Sequence, residues 1–344
     1  MKNKKYILNI LLILIIGGGS IVLSIGDNFD QVMSAFMHSK INWILVMAIV
    51  MGLYYLLEAV SLWLFARVYN KAYRMKQAVV NALTGIFFNG ITPFASGGQF
   101  AQVYVFNKQG IVPTFSASIL LMCFICYQTI LVIYTSLVLI FKYQYFIEEH
   151  AGMLSLAMIG FLVNFVVIVS LFAGAKSKKF QNFLTHTILK CLYKLHIVKN
   201  YEDTCAKIQQ YLSDFRNQLN ILQHNKRVLL QSCLCNFVKL TLLYSMPFFA
   251  CKALNLEVEW YQFIDFIGLC SFIYMINAFL PIPGASGGSE GTYILLFSFL
   301  GAVGTSSSMF LWRFMSYYLG LIIGALVFSF NKEVNRNKLE NIES

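Results

Sequence analysis

The chain has 344 residues, of which 58% are hydrophobic and 12% are charged, and its formal net charge is +11. The charged share is about half of that in ordinary soluble domains, which excludes a soluble globular protein. The positive charge lies between apolar runs and forms no aromatic-interleaved basic platform, so we expect no nucleic-acid partner.

Several apolar stretches are long enough to cross a bilayer, which requires about 20 helical residues. The first follows Lys2, Lys4 and Lys5, as in a signal peptide, but no small-residue cleavage site is evident, and we predict a retained helix. The predicted spans are residues 7–25, 43–66, 113–141, 152–174, 228–251 and 306–330.

A seven-residue motif occurs twice, 190 positions apart. Residues 93–99 read PFASGGQ and residues 283–289 read PGASGGS, so five of the seven positions are identical. Pro and paired Gly interrupt helices, and the hydrocarbon region tolerates such breaks only where protein or a water-lined cavity surrounds them. A matched pair of broken apolar segments, one in each half, is typical of a transporter binding site near the bilayer midplane.

The distribution of Lys and Arg predicts how these broken segments enter the membrane. Cytoplasmic loops carry an excess of Lys and Arg. That excess falls on one side only if segment 78–106 enters and leaves from the cytoplasm, and segment 260–304 enters and leaves from outside. The opposite side then holds only Lys40, Lys142 and Lys252.

The predicted fold is therefore an all-α polytopic membrane protein with six full spans and two opposed re-entrant hairpins. The hairpins belong to an inverted repeat within one integral-membrane domain, residues 1–330. Repeat one covers about 43–141, repeat two covers about 228–330, and residues 331–344 form a tail. The alternative is that each Gly-Gly pair marks a close helix crossing and that the motif match is fortuitous.

The long loop 175–227 carries ten basic residues against three acidic ones, with apolar residues at helical spacing. This pattern is typical of a segment that lies on an anionic cytoplasmic leaflet. It also fits an ordinary positive loop. Both interpretations place the N- and C-termini in the cytoplasm.

Ionisable residues inside predicted spans are costly and indicate function by default. One interpretation is structural, with Asp265–Arg313 or Glu58–Lys239 as ion pairs that lock helices together. The functional interpretation is a binding site for a charged or zwitterionic lipid headgroup. In that site Glu58, Asp265 and Glu290 bind a cationic group, and Arg313 and Lys239 bind phosphate.

The two motifs supply a second candidate anion site. Helix N-termini bind anions through free backbone N–H groups and the helix dipole. We expect the glycine N–H groups and both serine hydroxyls to contact phosphate, although the serines also suit helix capping. Asn89 and Asn277 are predicted to tie the broken backbone together. The motif residues are Ser96, Gly97, Gly98, Ser286, Gly287 and Gly288, with Gln99 and Gln102 on the helix after the first motif.

No catalytic constellation is evident, and we expect no metal or other cofactor. The five histidines fall in loops, and none has an acidic residue at metal-ligand spacing.

The paired motifs, Thr92-Pro93 with Gly97-Gly98-Gln99 and Pro281-x-Pro283-Gly284 with Gly287-Gly288-x-Glu290, carry a family resemblance. The chain resembles, over residues 5–330, the integral-membrane domain of bacterial phosphatidylglycerol lysyltransferase, also called lysylphosphatidylglycerol synthase. This resemblance implies a flippase in the bacterial plasma membrane. Its substrate would be lysyl-phosphatidylglycerol or a related glycolipid, and its action would contribute to resistance to cationic antimicrobial peptides.

The family's lysyl transfer is carried by a separate cytoplasmic domain. Only 14 residues follow the last predicted span, so we expect no acyltransferase domain here and a possible need for a separate lipid-synthesising enzyme. Two alternatives stay open: lysyltransferase or another lipid-modifying activity of the chain itself, and a membrane scaffold for a lipid glycosyltransferase.

Overall fold

The structure is a computed structural model that describes residues 29–142, 158–167, 169–170, 201–277, 280 and 282–331. Within these ranges the regular elements are helices, which confirms the predicted all-α class. The first half contains α1 Phe29–Met37, α2 Ile41–Tyr69, α3 Met75–Gly90, α4 Gly97–Lys108, α5 Pro113–Phe141 and α6 Met158–Val167. The second half contains α7 Tyr201–His224, α8 Lys226–Tyr244, α9 Met246–Ala253, α10 Phe263–Asn277, α11 Gly288–Leu296, α12 Gly301–Arg313 and α13 Leu319–Phe330.

Four helical segments are long and apolar enough to cross a membrane, and they match four of the predicted spans. The predicted span 306–330 begins earlier, at Ser298. Predicted span 7–25 lies outside the described residues, and the described part of 152–174 includes the short apolar helix α6. The four long segments are Ile41–Tyr69, Pro113–Phe141, Lys226–Ala253 and Ser298–Phe330.

Local sequence explains where several of these helices begin and bend. Pro113 occupies the first turn of α5, where a missing N–H costs nothing. Asn225 caps α8 by accepting a hydrogen bond from the Val228 N–H at 3.4 Å. Pro247, in the first turn of α9, accounts for the break from α8, since proline cannot continue the helical ladder.

The two motifs form the tips of two helix–turn–helix hairpins. Helices α3 and α4 pack together around the first tip, Pro93–Ala95, and α10 and α11 pack around the second tip, Pro283–Ala285. The two tips contact each other and α3 contacts both. Their placement in the membrane as re-entrant segments, and the inverted relation of the repeats, stay predictions.

The repeat extends to the backbone conformation of the tips. Phe94 and Ala95 have φ values of 54° and 49°, and the equivalent Gly284 and Ala285 have 59° and 51°. The left-handed region is unfavourable for residues with a Cβ. Both tips therefore hold the same strained turn, and such strain is most often found at functional sites.

Small residues allow the helices of the first hairpin and its neighbour to approach closely. A Cβ on Gly98 would lie 2.1 Å from the Asn89 Oδ1 atom, and one on Gly324 would lie 2.5 Å from the Leu83 carbonyl oxygen. Glycine is thus required where α4 and α13 pack on α3, as in other membrane helix pairs.

A large apolar core joins helices of both halves of the chain. It includes the fully buried Met51, Tyr244, Tyr293 and Trp312, and a second cluster packs α7 against α2 and α5. The last span is interrupted by a π-helical segment, Phe314–Tyr318, directly after Arg313. Such segments often occur at functional sites.

Candidate functional site

A cavity of about 340 Å³ lies where the two hairpin tips meet. Phe94 and Ala95 of the first tip and Gly284 and Ala285 of the second all line it. Its volume falls within the range of small-molecule binding sites, about 300–1,000 Å³. The motif pair that the sequence singles out therefore forms part of a concave site.

Four tyrosines are among the described residues that line the cavity. Tyr54 of α2, Tyr127 of α5, Tyr274 of α10 and Tyr317 of the π-helical segment line it. Tyrosine combines an apolar ring with a polar hydroxyl. The wall thus suits a ligand with both apolar and polar parts.

Three amide side chains also line the cavity. The Gln128 Nε2 atom donates to the Asn164 Oδ1 atom, and the Asn164 Nδ2 atom donates to the Gly160 carbonyl oxygen at 2.7 Å. The Asn277 Oδ1 atom is buried and accepts no hydrogen bond from the described residues. An unpaired buried acceptor is costly, and Asn277 is one of the residues that line the cavity. The backbone tie that we predicted for Asn277 is not made through this oxygen.

Among the described residues that line the cavity, Arg313 is the one that carries a charge. Its guanidinium Nε donates to the Glu290 Oε1 atom at 2.7 Å, and Nη2 donates to the Gly284 carbonyl oxygen at 2.5 Å. Arg313 is 4% exposed and Glu290 is 1% exposed. The pair is therefore desolvated, and each charge depends on the other for its stability. The described residues supply acceptors for two of the five N–H groups of the guanidinium.

The glycine N–H groups of the tips already have protein acceptors. The Gly97 N–H donates to the Thr92 hydroxyl oxygen at 2.8 Å, and the Gly98 N–H donates to the Asn89 Oδ1 atom at 3.0 Å. The Gly287 N–H donates to the second carboxylate oxygen of Glu290 at 2.7 Å. The prediction that Asn89 ties the broken backbone is confirmed, and an anion at these groups would have to displace the side chains.

Glu58 and Lys239 form the ion pair that the structural interpretation predicts. The Lys239 Nζ atom donates to the Glu58 Oε2 atom at 2.5 Å, which joins α2 to α8. The same Nζ atom lies 4.7 Å from the ring centroid of Tyr127 and 5.9 Å from that of Tyr54. The pair thus lies beside two of the wall residues and is itself outside the described wall.

The predicted pair Asp265–Arg313 is wrong. The Lys142 Nζ atom lies 2.8 Å from the Asp265 Oδ1 atom, which joins the C-terminal end of α5 to the first turn of α10. Arg313 instead pairs with Glu290, which lies within the same hairpin as the second tip. Helical spacing within each span gave no information on which spans are neighbours.

The remaining predicted residues fall outside the cavity wall. The Ser96 side chain is exposed and donates to the Pro93 carbonyl oxygen at 2.9 Å, so it does not cap α4. Gln99 is exposed, whereas Gln102 is 6% exposed and lies against Gly85 of α3. The second-tip residues Ser286 and Gly288 pack beside the cavity, with Ser286 1% exposed.

The sequence interpretation missed the tyrosines of the described wall and two of its amides. Tyr127 and Tyr317 lie 190 positions apart, which is the offset of the two motifs. An extension of the repeat beyond the motifs would have identified this pair. No such signal marks Gln128 or Asn164, because only tertiary contact brings their helices to the cavity. Within the described ranges no group of three or more His, Cys, Asp and Glu side chains is arranged to hold a metal ion.

Comparison with known proteins identifies one family. The family model described as the lysylphosphatidylglycerol synthase TM region matches residues 7–324. This range includes both motifs, both hairpins and the residues of the cavity wall. No curated protein matches the chain.

Proposed function

The chain belongs to the family of lysylphosphatidylglycerol synthase transmembrane regions, and we propose that it translocates the headgroup of a phosphate-containing lipid through the cavity between the hairpin tips. The observation that carries this proposal is the position of Arg313. Arg313 is one of the residues that line a cavity formed by two broken-helix tips, inside a bundle of membrane-length helices. Buried ionisable groups of this kind mark substrate pathways in membrane proteins.

In this proposal Arg313 binds the lipid phosphate and Glu290 is its resident counter-ion. Arginine binds phosphate through several N–H groups at once. A phosphate that enters the cavity competes with Glu290 for the guanidinium. Because Glu290 also holds the Gly287 N–H, the binding of phosphate is coupled to the conformation of the second tip.

Transport then requires that the two repeats move relative to each other. The polar contacts that join the repeats include two at or beside tyrosines of the cavity wall: the Tyr317 hydroxyl donates to the Gly90 carbonyl oxygen at 3.0 Å, and Lys239, which lies beside Tyr127, pairs with Glu58. Rocking of one repeat against the other would break such contacts and expose the cavity to each leaflet in turn. We propose that both contacts hold the two repeats together in the conformation described here and break when the repeats move apart.

Lysyl-phosphatidylglycerol and glycolipids are the candidate substrates that the family suggests, and reduced sensitivity to cationic peptides would follow from the translocation of the first. A cytoplasmic location of both termini, contact of segment 175–227 with an anionic leaflet, and a separate lipid-synthesising partner belong to the same proposal. Segment 175–200 lies outside the described residues.

The test is translocation of chain-labelled fluorescent lipids in proteoliposomes, with dithionite added outside. We expect the wild-type protein to bring inner-leaflet lipid within reach of dithionite. Gly284→Ala should reduce the rate strongly, because its Cβ would lie 2.3 Å from the Tyr317 hydroxyl at a φ of 59°.

The matched control is Gly291→Ala. Gly291 lies on α11, and a Cβ there meets nothing within 4 Å. Wild-type rates in this control, with loss of transport in Gly284→Ala, would support a site at the tips. Bleaching limited to the outer leaflet for lysyl-phosphatidylglycerol, phosphatidylglycerol and a glycolipid would contradict the proposal.

A further inference from the structure

The exposed part of the cavity wall lies at the first hairpin tip. Among the described residues that line the cavity, Phe94 and Ala95 are exposed, Phe94 at 63%. The equivalent residues of the second tip, Gly284 and Ala285, are half-buried and buried, as are the other described residues of the wall. In the conformation described here, the way into the cavity is therefore past the first tip.

The exposure continues from this tip along one side of α4. Phe100 is 79% exposed and Tyr104 is 47% exposed. The exposed residues recur three or four positions apart, which places them on one side of the helix, and the opposite side is buried against the protein. We call this surface the α4 face; its members are Ser96, Gln99, Phe100, Tyr104 and Asn107.

The corresponding surface of the second hairpin is covered. Three members of the α4 face have counterparts 190 positions later, at Ser286, Ser289 and Glu290. These counterparts are 1%, 0% and 1% exposed. An exposed face is thus no general property of the hairpin fold, since one of the two equivalent surfaces is open and the other is closed.

The α4 face combines polar and aromatic side chains. Gln99 lies nine positions before Lys108, the last residue of α4, which is about 14 Å along a helix axis. In the re-entrant placement proposed for this hairpin, that distance is about half of the hydrocarbon thickness. An exposed amide at this depth is costly unless it faces water or a polar partner, whereas exposed aromatic rings suit acyl chains. The α4 face therefore fits an amphipathic molecule.

We infer that the α4 face is the route by which a membrane lipid enters the cavity, from the leaflet at which α4 ends. The headgroup moves along Ser96 and Gln99, and the acyl chains stay outside against Phe100. Phe94 lies where this route meets the cavity, in the strained turn that carries glycine in the second tip. The inference rests on the proposed function, to which it adds the path of the substrate.

The first experiment measures whether the α4 face is hydrated and whether lipid covers it. Single cysteines, in a background without the native ones, are treated with an uncharged, water-soluble maleimide. We expect modification of Gln99→Cys and none of Leu53→Cys, which is 46% exposed near the middle of α2. In detergent, phosphatidylglycerol, lysyl-phosphatidylglycerol and a glycolipid are then added in turn. At least one should slow the modification of Gln99→Cys and leave that of the exposed Gln31→Cys on α1 unchanged.

The second experiment measures translocation of the same three lipids, in fluorescent form, in the proteoliposome assay. Gln99→Leu should reduce the rate about tenfold, which corresponds to the loss of one hydrogen bond to the headgroup. Gln99→Asn keeps the amide and should retain most of the rate. Gln31→Leu is the matched control and should translocate as the wild type does. Thermal unfolding in detergent shows that each variant is folded.

The outcomes separate this inference from the proposed function. Slower modification of Gln99→Cys by one of the lipids, without transport of any lipid by the wild type, would overturn the translocase and support the route. A Gln99→Cys as unreactive as Leu53→Cys would overturn the route. So would a wild-type transport rate in Gln99→Leu, and in that case the translocase would stand.

Discussion

The phenol of Tyr317 lies between the two hairpins. It donates to the carbonyl oxygen of Gly90, at the end of α3, and lies so close to Gly284 that a Cβ there would meet its oxygen at 2.3 Å. One side chain of the last span thus contacts the first hairpin and the second tip, which makes the π-helical segment a mechanical link between the repeats.

We expect Tyr317→Phe to destabilise the protein by about 1 kcal/mol, the net contribution of one hydrogen bond. The ring and its packing are kept, so the loss is that of the link to Gly90. Thermal unfolding in detergent measures the change. Tyr261→Phe is the control, since Tyr261 is 77% exposed; an equal shift in both variants would show that the link to Gly90 is without consequence.

The buried Arg313–Glu290 pair should show strong coupling. Arg313→Gln or Glu290→Gln alone leaves one buried charge without its partner, which costs about 3–5 kcal/mol. The double variant removes both charges and should be less destabilised than either single variant. Chemical unfolding of all four proteins gives the coupling free energy.

Lys142 and Asp265 provide the matched control for that cycle. Their side chains are 33% and 16% exposed, so solvent screens the pair, and we expect a coupling of about 1 kcal/mol or less. Equal coupling free energies for the two pairs would show that the burial of Arg313 and Glu290 does not strengthen their interaction.

The loss of Glu58 and the loss of Lys239 should lower the free energy of unfolding by different amounts. Lys239 is 4% exposed at its side chain, whereas Glu58 is 29% exposed. Glu58→Gln leaves a buried ammonium unpaired, whereas Lys239→Met leaves a carboxylate that the protein buries less completely. We therefore expect Glu58→Gln to lower the free energy of unfolding more than Lys239→Met does; the reverse order would show that Glu58 is the buried partner.

Gly98 is expected to tolerate no side chain. In Gly98→Ala the new Cβ would meet the Asn89 Oδ1 atom at 2.1 Å and the Gly85 carbonyl oxygen at 2.5 Å, and the backbone contact cannot yield. Such overpacking costs about 1–3 kcal/mol. Gly52→Ala on α2 meets nothing within 4 Å and should be neutral or stabilising, since alanine favours helix.

Membrane placement of the hairpins is tested by labelling of single cysteines from either side of the membrane. If the first hairpin is re-entrant, Lys76→Cys and Lys108→Cys, at its two ends, are labelled from the same side. Gln262→Cys and Ser298→Cys, which flank the second hairpin, are labelled from the other. The background replaces the eight native cysteines. Labelling of Lys76→Cys and Lys108→Cys from opposite sides would show that the segment crosses the membrane.

The sequence by itself determined the membrane class, four of the long helices, the two broken segments and the family. These features depend on local composition: apolar length sets a span, and proline with paired glycine stops a helix wherever it occurs. The predicted backbone contact of Asn89 and the predicted Glu58–Lys239 ion pair were also correct. An amide or a charge within an apolar helix requires a nearby polar partner.

Only the tertiary structure decided which charges meet and which groups face the cavity. Arg313 binds Glu290 and not Asp265, and the glycine N–H groups donate to Thr92, Asn89 and Glu290. Partner choice depends on which helices are neighbours, and many pairings satisfy the same spacing in sequence. The tyrosines and amides that surround Arg313 in the cavity wall come from residues far apart in the chain, so their grouping is a property of the packing.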